Sequence, residues 1–285
     1  MPDVAYLNGK YLLLAAARVP VMDRGFLFGD GVYEVIRAAG RRPFLLDEHL
    51  RRLQNSARMI DLACPSNALF RKVIARLLKQ AGYRDSSVYI QVTRGVAYPR
   101  KHVYPPPGTG PTVLVAAWQM GSRAPEDFIR GVECITVEDF RWGRCDVKSV
   151  NLLPNCMGKE LAKRRGAAEV IFIRTGHLVE GGSSAILVVK RGRLLLPRLG
   201  PEILPSLTRK LVLDIARRRD IPVAVRPVTV KELFAADEVI IAATTAEGVP
   251  VVKIDGRKIG TARPGPVAAV LHEEIVALRL RRSKP

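Results

Sequence analysis

The stretch Asp23-Arg24-Gly25-Phe26-Leu27-Phe28-Gly29-Asp30-Gly31-Val32-Tyr33-Glu34-Val35 packs four charges and three glycines around two phenylalanines. Glycines admit tight bends and close backbone approach, so its first half reads as a corner. Val32 opens a strand, and Tyr33 near its start is placed to aim a hydroxyl into a cleft. Taken alone, the composition favours the plainer alternative, a Gly-rich corner that only turns the chain.

Working outward, Val4–Leu7 and residues 11–14 flank Asn8-Gly9, a dipeptide suited to a tight hairpin. Residues 32–37 and 43–46 read as short strands around a Gly40 turn. Asp47 is then expected to cap a helix carrying Leu50, Leu53, Ala57 and Ile60 at helical spacing. A second helix follows Ser66, with Leu69, Val73, Ile74, Leu77 and Leu78 on one face, and strands follow at 87–93 and 112–117. These elements make a small N-terminal α/β domain over 1–118, and the polar residues within 119–126 make the interdomain linker. The remainder, 127–285, is strand-rich (132–137, 169–173, 185–189, 193–196, 223–228 and 238–243), with helices expected at 152–165, 207–219 and 267–280. The predicted class is therefore α+β in two domains, the second larger and barrel-like. No Gly-x-Gly-x-x-Gly joins a strand to a helix, which argues against a dinucleotide-binding fold.

Composition bounds the function. Of 285 residues, 48% are hydrophobic and 26% charged, enough apolar material for a sizeable core and against disorder. No apolar run approaches the roughly 20 residues of a membrane span, and Met1-Pro2-Asp3-Val4 has no secretory character, so a soluble, cytoplasmic protein is expected. Lys plus Arg number 46 against 27 Asp plus Glu, a net charge of +19. That excess nominates a polyanion partner, but the basic residues are scattered in groups such as Arg217-Arg218-Arg219, and aromatics make up only 6%. Nucleic acid is not an expected partner on this pattern. Cys64, Cys134, Cys145 and Cys156 form no C-x-x-C pair and the four histidines are far apart, so neither a metal site nor a disulfide framework is expected.

Two more segments carry candidate chemistry. In Asp146-Val147-Lys148-Ser149-Val150-Asn151, Lys148 sits between apolar residues, where burial favours a neutral, reactive amine. In His177-Leu178-Val179-Glu180-Gly181-Gly182-Ser183-Ser184, one carboxylate lies among small residues that let a ligand approach. Each has a plain alternative: a solvated lysine and a Gly-Ser turn.

Taken together and in this order, the three segments closely resemble the fold-type IV pyridoxal-phosphate-dependent aminotransferases, over almost the whole chain. The resemblance implies a pyridoxal 5'-phosphate cofactor bound as an aldimine of Lys148, which also shuttles the substrate's Cα proton. It places Glu180 against the pyridine nitrogen, and Arg52, by its position in Glu48-His49-Leu50-Arg51-Arg52-Leu53, on the cofactor phosphate. Leu207 and Thr208, at a helix start, and Thr244 and Thr245, after a strand, complete the implied phosphate contacts. Two departures stand out. Related sequences often have Ser-Asn where this chain has Ser184-Ala185, and Ser-Thr-Thr where it has Ala243-Thr244-Thr245, removing one amide and one hydroxyl.

The substrate is read from Arg100-Lys101-His102. Arg100 and His102 are two apart, so on extended backbone they share a face. The pair resembles the carboxylate trap of D-amino-acid aminotransferases, in which a tyrosine matching Tyr33 takes part and the loop reaches across a homodimer to an active site at the subunit interface. The implied function is transfer of the amino group of a D-amino acid, such as D-alanine, to 2-oxoglutarate. A branched-chain L-amino-acid aminotransferase is the nearest alternative, followed by an aminodeoxychorismate lyase. From another class stands a nucleic-acid-binding protein on a decayed enzyme scaffold.

Overall fold

The computed structural model describes residues 2–121 and 124–283. Two compact units are present: residues 2–121 with Val147–Asn151 and 280–283, and residues 124–146 with Leu152–Arg279. Ser122 and Arg123, inside the expected linker, lie outside the described residues, as does Lys284 of the expected C-terminal domain. No helix among the described residues is long and apolar enough to cross a membrane.

The first unit opens with the expected hairpin. Strands β1 (Val4–Leu7) and β2 (Lys10–Leu13) are joined by Asn8 and Gly9 at φ 46° and 95°, the positive values such a two-residue turn needs. Helix α1 (Arg24–Phe28), strands β3 (Gly31–Ala39) and β4 (Arg42–Pro43), helices α2 (Leu46–Arg58) and α3 (Asn67–Ala81), and strands β5 (Asp85–Thr93) and β6 (Thr112–Gln119) follow. They form an antiparallel sheet in the order β2-β1-β6-β5-β3-β4. Side chains alternate across it. Val32, Ile36 and Ala38 of β3, with Val88, Ile90, Val92, Val113 and Val115, bury against Leu50 and Leu53 of α2 and Phe70, Ile74 and Leu77 of α3. The opposite face carries Tyr33, Tyr89 and Trp118, with ring centres 5.9 and 6.2 Å apart in succession.

The helix expected after Ser66 is α3, and Ser66 caps it by accepting from the Leu69 N–H at 3.3 Å. Two local expectations are corrected. The strand at 43–46 is cut short because Phe44 N–H turns back to the Arg37 carbonyl at 2.8 Å and Leu45 adopts φ 56°. That turn makes Leu45 the N-cap of α2, and Asp47 instead lies in the first helical turn, where its charge suits the helix dipole.

The second unit runs α4 (Pro125–Ile129), β7 (Val132–Glu138), α5 (Leu153–Arg164), β8 (Glu169–Arg174), β9 (His177–Gly181), β10 (Ala185–Lys190) and β11 (Arg193–Leu196). It continues with α6 (Leu207–Arg218), β12 (Val223–Val225), α7 (Val230–Phe234), β13 (Glu238–Ala242), β14 (Val249–Ile254), β15 (Arg257–Lys258) and α8 (Pro266–Ser283). The sheet order is β12-β11-β10-β13-β14-β7-β8-β9, with β15 on β14. A three-residue turn joins β9, at the end of this path, to β10 near its other end, and Gly181 N–H closes the turn onto the Ser184 carbonyl at 2.7 Å. The sheet therefore curls into a half-barrel. Ile186 and Val188 of β10 face its inner cluster, while Leu187 and Val189 pack against Val212 and Ile215 of α6 and Leu271 and Ile275 of α8. The strand expected at 223–228 stops at Val225, ahead of Pro227, which has no N–H to give a ladder.

Candidate active site

Lys148 is positioned by a gap in the first sheet. Strand β4 pairs only with Ala38 and Ala39, leaving the Gly31–Tyr33 edge of β3 open. Residues 147–151 fill it: Tyr33 N–H donates to the Lys148 carbonyl at 3.0 Å and Val150 N–H to the Gly31 carbonyl at 3.1 Å. Lys148 N–H donates to Ser56 Oγ of α2 at 3.1 Å, and Val147 is buried in the core. Asn151 Nδ2 donates to the Gly29 carbonyl at 3.0 Å; Gly29 sits at φ 66°, and any side chain there would run into Asn151. With its backbone fixed, the half-buried Lys148 places Nζ 4.2 Å from the centre of the Tyr33 ring.

One residue along β3, on the opposite face, Glu34 is fully buried in an apolar surface. Arg52 meets it with a two-point fork, Nε to Oε1 at 2.7 Å and Nη2 to Oε2 at 2.9 Å, and His49 Nδ1 lies 2.7 Å from Oε2. Burial pushes the Glu34 carboxyl up, but the charge and hydrogen bonds of Arg52 and the His49 contact outweigh it and hold the group at about 2. Burial, with smaller contributions from Arg52 and Lys148, pushes His49 below its ordinary value against the pull of Glu34. An ionised carboxylate only accepts, so we assign the His49 proton to Nδ1. Glu34 thus fixes the direction of the Arg52 guanidinium. Arg51, one residue away, is exposed.

Arg100 and His102 lie on an exposed loop, and both reach Phe28. The Arg100 guanidinium is 4.3 Å from the Phe28 ring centre, and the His102 ring is 5.4 Å from it.

The second unit holds the other candidates. Glu180, buried on β9, accepts from Arg141 Nη1 at 2.5 Å and from Leu204 N–H at 3.1 Å. Arg141 is in turn gripped by Asp139, Nε to Oδ1 at 2.9 Å and Nη2 to Oδ2 at 3.0 Å, and Arg174 pairs with Asp139 at 2.8 Å. Burial pushes the Arg141 guanidinium down, but Asp139 and Glu180 raise it above its ordinary value, so it is a fixed cation. The turn after Glu180 rests on buried Glu169, which accepts from Ser184 Oγ at 3.0 Å and from Gly182 N–H at 3.3 Å. Leu207 opens α6, Thr208 is buried in its first turn, and Ser206 caps the helix by accepting from Arg209 N–H at 3.2 Å. Burial lowers the neighbouring Arg209 guanidinium, partly offset by Glu180. Thr244 and Thr245 lie in the turn after β13, half-buried and exposed respectively.

Sequence reading did not single out Glu34, His49, Ser56, Asp139 or Arg141. Glu34 left a signal: it occupies the inward position of an alternating strand, between Val32 and Ile36, where a carboxylate demands a partner. Arg141 left none that its residue type would reveal, since arginine is usually exposed.

Residues 31–254 match the model of the class IV amino-transferases. The D-alanine aminotransferase of Listeria innocua is 41% identical over 275 residues, covering 95% of each chain. That of Staphylococcus haemolyticus is 40% identical over 270 residues, covering 94% of this chain and 95% of its own. Among solved structures, the branched-chain amino acid aminotransferase of Escherichia coli superposes with a TM-score of 0.89 at 25% identity, covering 97% of this chain and 94% of its own. A branched-chain amino acid aminotransferase of T.th., solved with pyridoxamine 5'-phosphate, also gives 0.89, at 28% identity, covering 99% of this chain and 95% of its own. This chain belongs to the class IV aminotransferase family. It is a transaminase, of the group that works with pyridoxal phosphate.

The donor set fits that cofactor. An aldehyde needs an amine, a ring nitrogen needs an acceptor, and a phosphate needs cations and N–H groups. Taken separately, the first unit carries groups of these kinds in the Lys148 amine and the oriented Arg52 guanidinium, and the second in the Glu180 carboxylate and the N-terminus of α6.

Proposed function

We propose that this chain is a D-amino-acid transaminase that moves the amino group of a D-amino acid, such as D-alanine, to 2-oxoglutarate. The observation that carries the reading is the likeness at about 40% identity to D-alanine aminotransferases over more than nine-tenths of the chain. Supporting it, Arg100 and His102 both come to Phe28, as one trap for a carboxylate requires.

When bound, pyridoxal phosphate supplies an electron sink for the bonds at the substrate's Cα. Lys148 Nζ attaches the cofactor and carries the proton removed from Cα. Glu180 holds the proton of the ring nitrogen. Arg52, with the N–H groups at Leu207 and Thr208 and the hydroxyls of Thr244 and Thr245, binds the phosphate. Tyr33, Arg100 and His102 take the substrate carboxylate, Arg100 through paired hydrogen bonds to its two oxygens.

The protein works as a homodimer in the cytoplasm, with the Arg100 loop serving the neighbouring subunit's site. Support comes from the exposure of Tyr98 (84%) and Phe26 (75%) beside that loop, more apolar area than an isolated surface favours. Light scattering at micromolar concentration checks this, with a dimer mass expected.

The test is chiral product analysis with D- and L-donors and 2-oxoglutarate, on wild type and Arg100→Ala. Turnover of D-alanine that collapses in the variant is expected. The solved branched-chain enzymes of the same fold favour a second reading, an L-branched-chain transaminase; consumption of L-leucine but not D-alanine would establish it.

A further inference from the structure

The Gly-rich corner at 23–31 contains a feature that cofactor chemistry does not use. Arg24, only 4% exposed, sends its guanidinium into the loop that carries Arg100 and His102. Nη1 donates to the Lys101 carbonyl at 2.7 Å and the Val103 carbonyl at 3.3 Å, and Nη2 donates to the His102 carbonyl at 3.1 Å. Three consecutive carbonyls thus converge on one cation. Nε donates to Asp30 Oδ2 at 2.8 Å. Asp30 is shared with a second buried arginine, Arg94, whose Nε lies 2.9 Å from the same oxygen. Arg94 donates onward to the Ile60 and Asp61 carbonyls at 2.6 and 2.8 Å and lies 3.5 Å from the Tyr104 ring centre.

We infer that Arg24, held by Asp30, is the positioning residue of the substrate-carboxylate loop, an inference that rests on the D-amino-acid reading above. A loop this exposed has little burial to order it, and the carbonyls of 101–103 would face water in many conformations. Closing them on a single rigid fork fixes the backbone beneath His102 and next to Arg100. Phe28 adds to the effect: the Arg24 guanidinium lies 4.7 Å from its ring centre, and Arg100 and His102 rest on the same ring. Asp23 ties the corner to the strand before the loop, accepting from Thr93 Oγ1 at 3.0 Å while Arg24 N–H donates to the Gly95 carbonyl at 2.9 Å. Lysine has the charge but not the fork, so it can answer Asp30 or the carbonyls but not both.

The experiment compares Arg24→Lys, Asp30→Asn and Arg100→Ala as holoenzymes. Readouts are KM and kcat for D-alanine and 2-oxoglutarate, melting temperature, and amide hydrogen exchange over residues 96–104. Arg24→Lys should raise both KM values about tenfold more than it lowers kcat, the size expected for losing charged hydrogen bonds that hold a binding group. Exchange should quicken in 96–104 while β5 and β6 stay protected. Asp30→Asn should move the same quantities in the same direction by less, and it carries the test if Arg24→Lys does not fold. Should Arg100→Ala raise KM while both anchor variants leave KM and loop exchange unchanged, the inference is overturned. Loss of protection throughout the first unit with a fallen melting temperature also overturns it, since Arg24 would then serve the fold alone. If Arg100→Ala leaves KM unchanged, the failure lies in the carboxylate-trap reading, and quickened loop exchange in Arg24→Lys still reports on the anchor.

Discussion

Each unit buries a carboxylate against an arginine, and under the proposed function the two clusters offer opposite members to the cofactor. In the first, Glu34 sits at the centre, with Arg52 and His49 around it. The anion is the support, and the cation is the working group that the proposed function assigns. In the second, Arg141 sits between Asp139 and Glu180, with Arg174 on the far side of Asp139. There the cation is the support, and the anion is the working group that the proposed function assigns. A buried charge is tolerable only with an opposite partner and satisfied hydrogen bonds, so each cluster pairs its buried charge with the opposite one.

The sharpest way to break this comparison is to neutralise the working anion. Glu180→Gln should lower kcat roughly a hundredfold or more, as loss of a preorganised electrostatic group does, with cofactor retention largely intact by absorbance after gel filtration. Wild-type turnover would remove Glu180 from its role. Next in size, Arg141→Met leaves Asp139 and Glu180 buried without their shared cation and should cost about 3–5 kcal/mol in urea unfolding, with Arg141→Lys recovering part of the loss. Equal losses from Met and Lys would mean that the fork, not the charge, is what matters.

On the first cluster the effect should fall on binding. Glu34→Gln removes the support of Arg52 and should weaken cofactor affinity by about tenfold, as disturbing a ligand's outer partners does, while kcat at saturating cofactor changes little. Equilibrium dialysis measures the first and steady-state kinetics the second. The smallest expected effect is in acid. Because Glu34 is held at about 2, below its ordinary 4.5, the unfolded chain binds its proton first. Its contribution to stability is therefore full above about 4.5 and fades as pH falls towards 2. The stability gap between wild type and Glu34→Gln should narrow over that window; a constant gap would mean Glu34 is not held as an anion.

The difference between the clusters also marks what could be read in the sequence. Long elements with clear periodicity were legible: α3 follows Ser66 and turns Val73, Ile74, Leu77 and Leu78 inward, although Phe70, not the expected Leu69, is the buried residue of its first turns. Helix α1 was not, because five residues with a glycine inside show no period. Lys148 and Glu180 were nominated by the blocks around them. Arg24, Arg94 and Arg141 were not, because nothing local distinguishes a buried arginine from a solvated one. Their burial comes from chain segments that meet only after folding, such as Arg24 with residues 101–103, some 77 to 79 positions away.

The pleat of β3 has a consequence for how such a sequence tolerates change over evolutionary time. Tyr33 and Glu34 are adjacent, yet one faces Tyr89 and the other Arg52. Substitutions can be tried at either position independently, because the two side chains occupy separate environments. An insertion or deletion of one residue between Gly31 and Tyr33 exchanges those environments at a stroke, driving the phenol into the core and the carboxylate to the opposite face. Lineages carrying this strand should therefore vary in its letters and keep its length.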